Sequence, residues 1–156
     1  MGRTDVVKTL LQAGANTEVV CRDSAHSQGM TALHVATVRG NAGVVRALLE
    51  AGACIEAGGR NSFLWACKSH VRKEVLKALL DAEPDTEARD NEGFTALHLA
   101  TREGDASAVR MLLEAGASKE AQTPDGTTAL DMAKAAGRSE LVALLQGGED
   151  PGSAAQ

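Results

Sequence analysis

Large aromatic side chains are nearly missing from this chain of 156 residues, which holds one Trp, two Phe and no Tyr. A compact core of that size normally draws on such rings. The 44% of apolar residues must therefore build the interior from Ala, Leu and Val, as in a thin, extended core. Long apolar runs are missing too. None approaches the ~18 residues of a membrane span, so no membrane insertion is expected. The opening MGRTDVVKTLL contains no signal-peptide core. Cysteine is scarce, and Cys21, Cys54 and Cys67 are odd in number and irregularly spaced. They read as reduced thiols of an intracellular, cytoplasmic protein and not as a disulfide framework. Basic charge is in deficit: the net charge is −5 and the pI near 5.4, which argues against nucleic acid as a partner.

What the chain does have is repetition. VVKTLLQAGAN (6–16), VVRALLEAGAC (44–54), VLKALLDAEPD (75–85) and AVRMLLEAGAS (108–118) align, and LVALLQGG (141–148) follows. Leu10, Leu48, Leu79 and Leu112 recur at offsets of 38, 31 and 33 residues. A second echo precedes the last four: TALHVATVRG (31–40), SFLWACKSHV (62–71), TALHLATREG (95–104) and TALDMAKAAG (128–137).

Local chemistry turns each echo into a pair of short helices. Thr31, Thr95 and Thr128 are N-cap residue types placed directly before apolar-periodic segments. Gly40, Gly104 and Gly137 stand where a first helix of about two turns must end, in the left-handed conformation that glycine tolerates. Val44, Val45, Leu48 and Leu49 form the apolar stripe of a second helix. One such pair cannot bury its own face, so neighbours must stack. Polar connectors such as ARDNEGF (88–94) and AQTPDGT (121–127) have turn compositions.

The tandem pattern T-A-L-H-x-A-x-x-x-G and V-V-x-x-L-L-x-x-G-A resembles the ankyrin repeat, whose period is about 33 residues. The resemblance implies an all-α fold: an ankyrin-repeat solenoid of stacked helix-turn-helix units with β-turn fingers. It covers residues 1–147, divided into a partial repeat 1–17 and repeats 18–55, 56–86, 87–119 and 120–147. Residues 148–156, rich in Gly, Pro and Ser, read as a disordered tail. Ala32, Ala96 and Ala129 replace the family's Pro, a benign change because Ala is the best helix former. His34 and His98 are implied to tie helix starts to neighbouring loops.

Departures from the pattern are local. The first unit lacks its first helix, which reads as a fragment of a longer array or as a trimmed cap, and the open flank of Val6, Val7, Leu10 and Leu11 favours the former. The connector 18–29 is five residues longer than 87–93. The insertion lies on the binding side or is neutral. The acids Glu18, Glu56, Glu87 and Glu120 recur in register. They form either an acidic stripe for a basic partner or turn-stabilising side chains. The third unit is the least regular. Ser62 takes the Thr position, Trp65 the His, Cys67 the small Ala and Val71 the Gly, and Glu83-Pro84 replaces Gly-Ala.

No catalytic chemistry is legible. Cys67 and His70 are neighbours on one helix face, yet no orienting group or oxyanion motif accompanies them. Cys67 falls at a packing position, so it should be buried and inert. Cys21, His26, Cys54, Cys67 and His70 include no paired C-x-x-C, so no metal site and no cofactor are expected. The chain is not expected to be an enzyme.

The resemblance implies a protein–protein interaction module, a monomer that takes a protein or peptide along a concave groove of finger tips and first helices. The alternative is a regulatory or targeting segment of a larger enzyme, channel or effector. Positions that vary among ankyrin units carry over as contact candidates: Met30, Val38, Arg39, Arg60, Asn61, His70, Arg89, Asn91, Phe94, Arg102 and Glu103. Gln28, Ser69 and Glu92 share such positions. Phe94 is expected to be an exposed anchor, with Arg39, Arg60, Arg89 and Arg102 as a basic ridge flanked by acids that suits a mixed-charge or acidic peptide. The opposite reading folds Phe94 against its own finger. The frame is expected to rest on Thr31, His34, Gly40, Trp65, Cys67, Thr95, His98, Gly104, Thr128 and Gly137.

Overall fold

Short helices arise because every apolar stripe is closed off by a turn residue within about three turns. In the computed structural model, which describes residues 4–21, 29–57, 61–68 and 73–147, they run as α1 (Thr4–Gln12), α2 (Ala32–Val38), α3 (Ala42–Glu50), α4 (Ser62–Lys68), α5 (Lys73–Leu80), α6 (Ala96–Glu103), α7 (Ala106–Glu114), α8 (Ala129–Ala135) and α9 (Ser139–Leu145). The chain divides into two units, 1–84 and 85–156.

In the first unit α2 packs on α4, forming a row of first helices. The second helices α1, α3 and α5 form the row behind, with α3 against both α1 and α5. In the second unit α6 and α8 make the front row and α7 and α9 the back row. Both units are all-α stacks of helix pairs. Strand pairing among the described residues is limited to the isolated bridges Arg89–Thr95 and Gln122–Thr128 at the bases of two fingers.

The cores are aliphatic. Leu33, Val45, Leu48, Val75 and Leu79 are fully buried in the first unit, and Leu97, Leu99, Val109, Leu112 and Leu141 in the second. Each such side chain contributes about 1.5–3 kcal/mol of transfer free energy. Phe63 is the largest fully buried side chain. It stands where Ala32, Ala96 and Ala129 stand in the sister helices, so α4 fills its space with one ring. By contrast α1 buries none of its residues, and Val6 and Leu10 are about half exposed.

Two helix ends show the cost of the irregular third repeat. After α3, Gly52 turns left-handed at φ 83°, its N–H bonds Leu49 O at 2.9 Å, and Ala53 N–H bonds Leu48 O at 2.9 Å. After α5 the same turn falls on Glu83 at φ 49°, a conformation costly for a residue with a Cβ. Pro84 then has no N–H to offer, and Leu79 O accepts instead from Ala82 N at 3.2 Å. The expected helix ends at Gly40, Gly104 and Gly137 have φ of 70°, 82° and 65°.

Candidate partner-binding surface

The starts of the first helices are built alike. Thr31 N–H and the Thr31 hydroxyl approach His34 Nδ1 at 3.2 and 2.8 Å; Thr95 and His98 repeat this at 3.3 and 2.9 Å. A ring nitrogen that accepts a backbone N–H carries no proton, so the proton sits on Nε2. In His98 that Nε2–H points to Thr127 O at 3.3 Å, which joins α6 to the next finger. Burial is the main reason that the His98 pKa lies below 6.5; the Thr127 carbonyl opposes it and Arg89 adds to it. In the last pair Asp131 plays the histidine's part and accepts from Thr128 N and Oγ1 at 3.1 and 2.6 Å. Those bonds hold its carboxyl below its ordinary 3.8.

The third repeat solves the same problem differently. Asn61, expected among the contact residues, caps α4: its Oδ1 accepts from Phe63 N at 2.9 Å and Leu64 N at 3.2 Å. Ser62, expected to be the cap, lies inside the helix, fully buried. Its hydroxyl finds no hydrogen-bond partner among the described residues. The cause is Trp65, which offers an indole donor where the sisters offer an imidazole acceptor. The Trp65 ring is half-buried, and Cys67 is buried.

The fingers of the second unit are held by hydrogen bonds within and between them. Asp90 Oδ1 accepts from Glu92 N and Phe94 N, each at 2.9 Å, and Gly93 N–H returns to Asp90 O at 2.9 Å. Gly93 has φ 82°, and a Cβ there would sit 2.6 Å from the Pro124 ring of the following finger. Arg89 stitches the two fingers together by donating to Gly93 O at 2.8 Å and Gln122 O at 2.7 Å.

Phe94 is half-buried, between the exposed and the folded-back readings. Its ring meets His98 edge-on, with centroids 6.0 Å apart and planes at 88°. The Arg102 guanidinium lies 5.1 Å over its centroid and reaches Glu92 at 3.6 Å. One aromatic, one cation and one carboxylate thus share the face between finger and first helix.

The other candidates scatter. Val38 and Arg39 are exposed together at the end of α2, with Val38 at 48%. Asn91 is exposed and Glu103 half-buried. Met30, expected on a finger surface, is 6% exposed. Its carbonyl accepts from Cys21 N at 2.8 Å, and its buried side chain leaves little for a partner to touch. Of the expected basic ridge, Arg39, Arg89 and Arg102 are exposed, Arg89 with its guanidinium on two backbone carbonyls. Gln28, Arg60, Ser69, His70, Val71 and the tail 148–156 lie outside the described residues.

The contacts of Arg138 have no counterpart in the sequence motifs. Arg138 donates to Thr101 O, and to Arg102 O at 2.9 Å, closing the end of α6. Glu18 accepts from Cys54 N, 36 residues on, and Glu87 from Ser118 N, 31 residues on, each at 2.9 Å. These two members of the acidic column act as turn-stabilising acceptors. Glu56 accepts from Asn61 Nδ2 at 3.0 Å. Among the described residues no group of three His, Cys, Asp or Glu converges as metal ligands would, and no helix is long and apolar enough to cross a membrane.

The pattern of ankyrin repeats in three tandem copies matches residues 1–90 and again 63–154. The chain belongs to the ankyrin-repeat family. Among curated relatives, the mouse B-cell lymphoma 3 protein homolog is 39% identical over 86 residues, 51% of this chain and 19% of that protein. The E3 ubiquitin-protein ligase KEG of Arabidopsis thaliana is 33% identical over 100 residues, 62% of this chain and 6% of that protein. The chain therefore matches only a small part of either relative's length. Ankyrin-repeat domains are in general non-catalytic protein-interaction modules, and a shared fold does not name the partner.

Proposed function

We propose that this chain is a protein–protein interaction module that holds a partner protein or peptide against its finger tips and first helices, along a concave groove. The observation that carries this reading is the Phe94–Arg102–Glu92 cluster, a pre-set aromatic and arginine of the kind that dominates interface energetics. Val38 and Arg39 are the corresponding exposed pair in the first unit. The division into repeats at 1–17, 18–55, 56–86, 87–119 and 120–147, a monomeric state and a cytoplasmic location go with this proposal. An affinity capture with the wild-type chain, repeated with Phe94→Ala/Arg102→Ala, tests it. Partner binding should fall at least about tenfold, the cost of losing one interface anchor. Unchanged binding to an identified partner would remove the surface from this face.

A second reading is supported by the relatives. Both are far longer than the segment matched, 19% and 6% of their lengths. The chain would then be the regulatory or targeting segment of a larger enzyme, channel or effector. Determining the full reading frame separates the two, because this reading requires a further functional domain on the same chain.

A further inference from the structure

We propose that the Phe94 ring and the Glu92 carboxylate form a niche for an arginine of a basic partner segment, and that Arg102 occupies it as an internal stand-in. This deepens the interaction reading above and rests on it.

The occupant itself shows what the niche accepts. A guanidinium lies 5.1 Å over the Phe94 centroid while one of its nitrogens approaches Glu92 at 3.6 Å. That combination of aromatic face and carboxylate suits the planar, delocalised cation of arginine better than the compact ammonium of lysine. The walls are fixed before any partner arrives, since Asp90 pins the backbone of both Glu92 and Phe94. His98 supports the ring from its edge.

The occupant is held weakly. Its ion pair is longer than the roughly 2.7–2.9 Å of a charge-assisted hydrogen bond. The side chains of Arg102 and Glu92 are 39% and 62% exposed, so solvent screens the attraction. Arg102 stands in the last turn of α6, from which a long side chain can swing into water.

The surrounding charge selects the sign of the partner. Residues 85–147 carry 11 Asp and Glu against six Lys and Arg, a net −5. Two of those six, Arg89 and Arg138, are turned onto backbone carbonyls. Asp125, on the following finger, and Asp131, in the first turn of α8, are exposed as Glu92 is. Such a field favours a basic segment and repels an acidic one.

The test is fluorescence anisotropy at low salt with labelled Gly-Arg, Gly-Lys and Gly-Glu repeat peptides. Removing the stand-in should help binding. Arg102→Ala should tighten the Gly-Arg peptide about two- to fivefold, since it frees the niche from an exposed cation–π contact. Adding Phe94→Leu or Glu92→Gln to Arg102→Ala should erase the gain, and the Gly-Glu peptide should show none. Weaker or unchanged Gly-Arg binding by Arg102→Ala overturns the proposal. So does a gain that survives Phe94→Leu or is as large for Gly-Lys, because bare charge would then explain it. If these fail while Phe94→Ala/Arg102→Ala still impairs partner capture, the surface stands and only the niche falls. If capture is also unaffected, both fall.

Discussion

Arg138, at the start of the last helix, donates to the carbonyl of Thr101 at the end of α6, 37 residues earlier in the chain. The same nitrogen reaches Arg102 O at 2.9 Å. Gly104 leaves room for the guanidinium, since a Cβ there would sit 2.9 Å from Arg138 Cζ. A cation at a helix C-terminus satisfies open carbonyls and complements the helix dipole. Arg138→Ala should therefore destabilise the second unit by about 1–2 kcal/mol, read from urea unfolding. Arg138→Lys should recover only part of this, because the lysine side chain is one atom shorter and its ammonium reaches the two carbonyls less well. An Ala variant as stable as wild type would refute this role.

Opposite effects are expected at adjacent residues of the third repeat. Ser62→Ala removes a buried hydroxyl without a partner and inserts a better helix former, so it should stabilise the protein by about 1 kcal/mol. Asn61→Ala removes the cap of α4 and should cost about 1 kcal/mol. Urea midpoints shifting in the same direction for both would contradict the assignment of cap and orphan.

Glu83→Gly should raise stability by about 1 kcal/mol. The gain from relieving a left-handed residue with a side chain exceeds the entropy that glycine adds to the unfolded chain. Glu83→Gly/Pro84→Ala restores the Gly-Ala ending of α3 and α7 and should gain further, since residue 84 could then donate to Leu79 O. Thermal melting tests both; a lower melting temperature for Glu83→Gly would show that the turn is unstrained.

Acid should weaken the second unit through His98. Its folded pKa lies below 6.5, mainly because burial disfavours the charged ring. The unfolded chain then binds the proton more readily than the folded one. The stability is present above pH 6.5 and is lost as pH falls through the folded value. Unfolding midpoints from pH 7.5 downward should fall across this window, less steeply in His98→Gln. An NMR titration placing the His98 imidazole at or above 6.5 would disprove the premise.

Much of the architecture could be read from the chain because the signals are local. Thr95 before an apolar stripe, Gly104 after it and the Val109–Leu112 face behind it specify helix, stop and helix within one repeat. The displaced cap at Asn61 was harder to see, since the alignment placed Ser62 on the threonine position. What moved the cap was Trp65, which lacks the acceptor that Thr31 and Thr95 find in histidine.

The candidate surface was legible only in part. Phe94 and Arg102 stood out as an aromatic and a cation at variable positions, but their stacking depends on a finger folded back by Asp90. Arg89 resembled a free cation in the sequence and proved to be a stitch between fingers. Met30 resembled Phe94 by position and is buried.

The sequence by itself determined the all-α repeat, its turns and its aliphatic core, because those follow from periodicity, capping and glycine over stretches of about four residues. Only the tertiary structure decided which polar side chains remain available. Arg138, Arg89, Glu18 and Glu87 find their acceptors and donors 31 to 37 residues away, about one repeat length along the chain. Those distances close only when helix pairs stack. The same stacking leaves Arg102 lying on Phe94, where a contact is made through space and no local rule of the chain anticipates it.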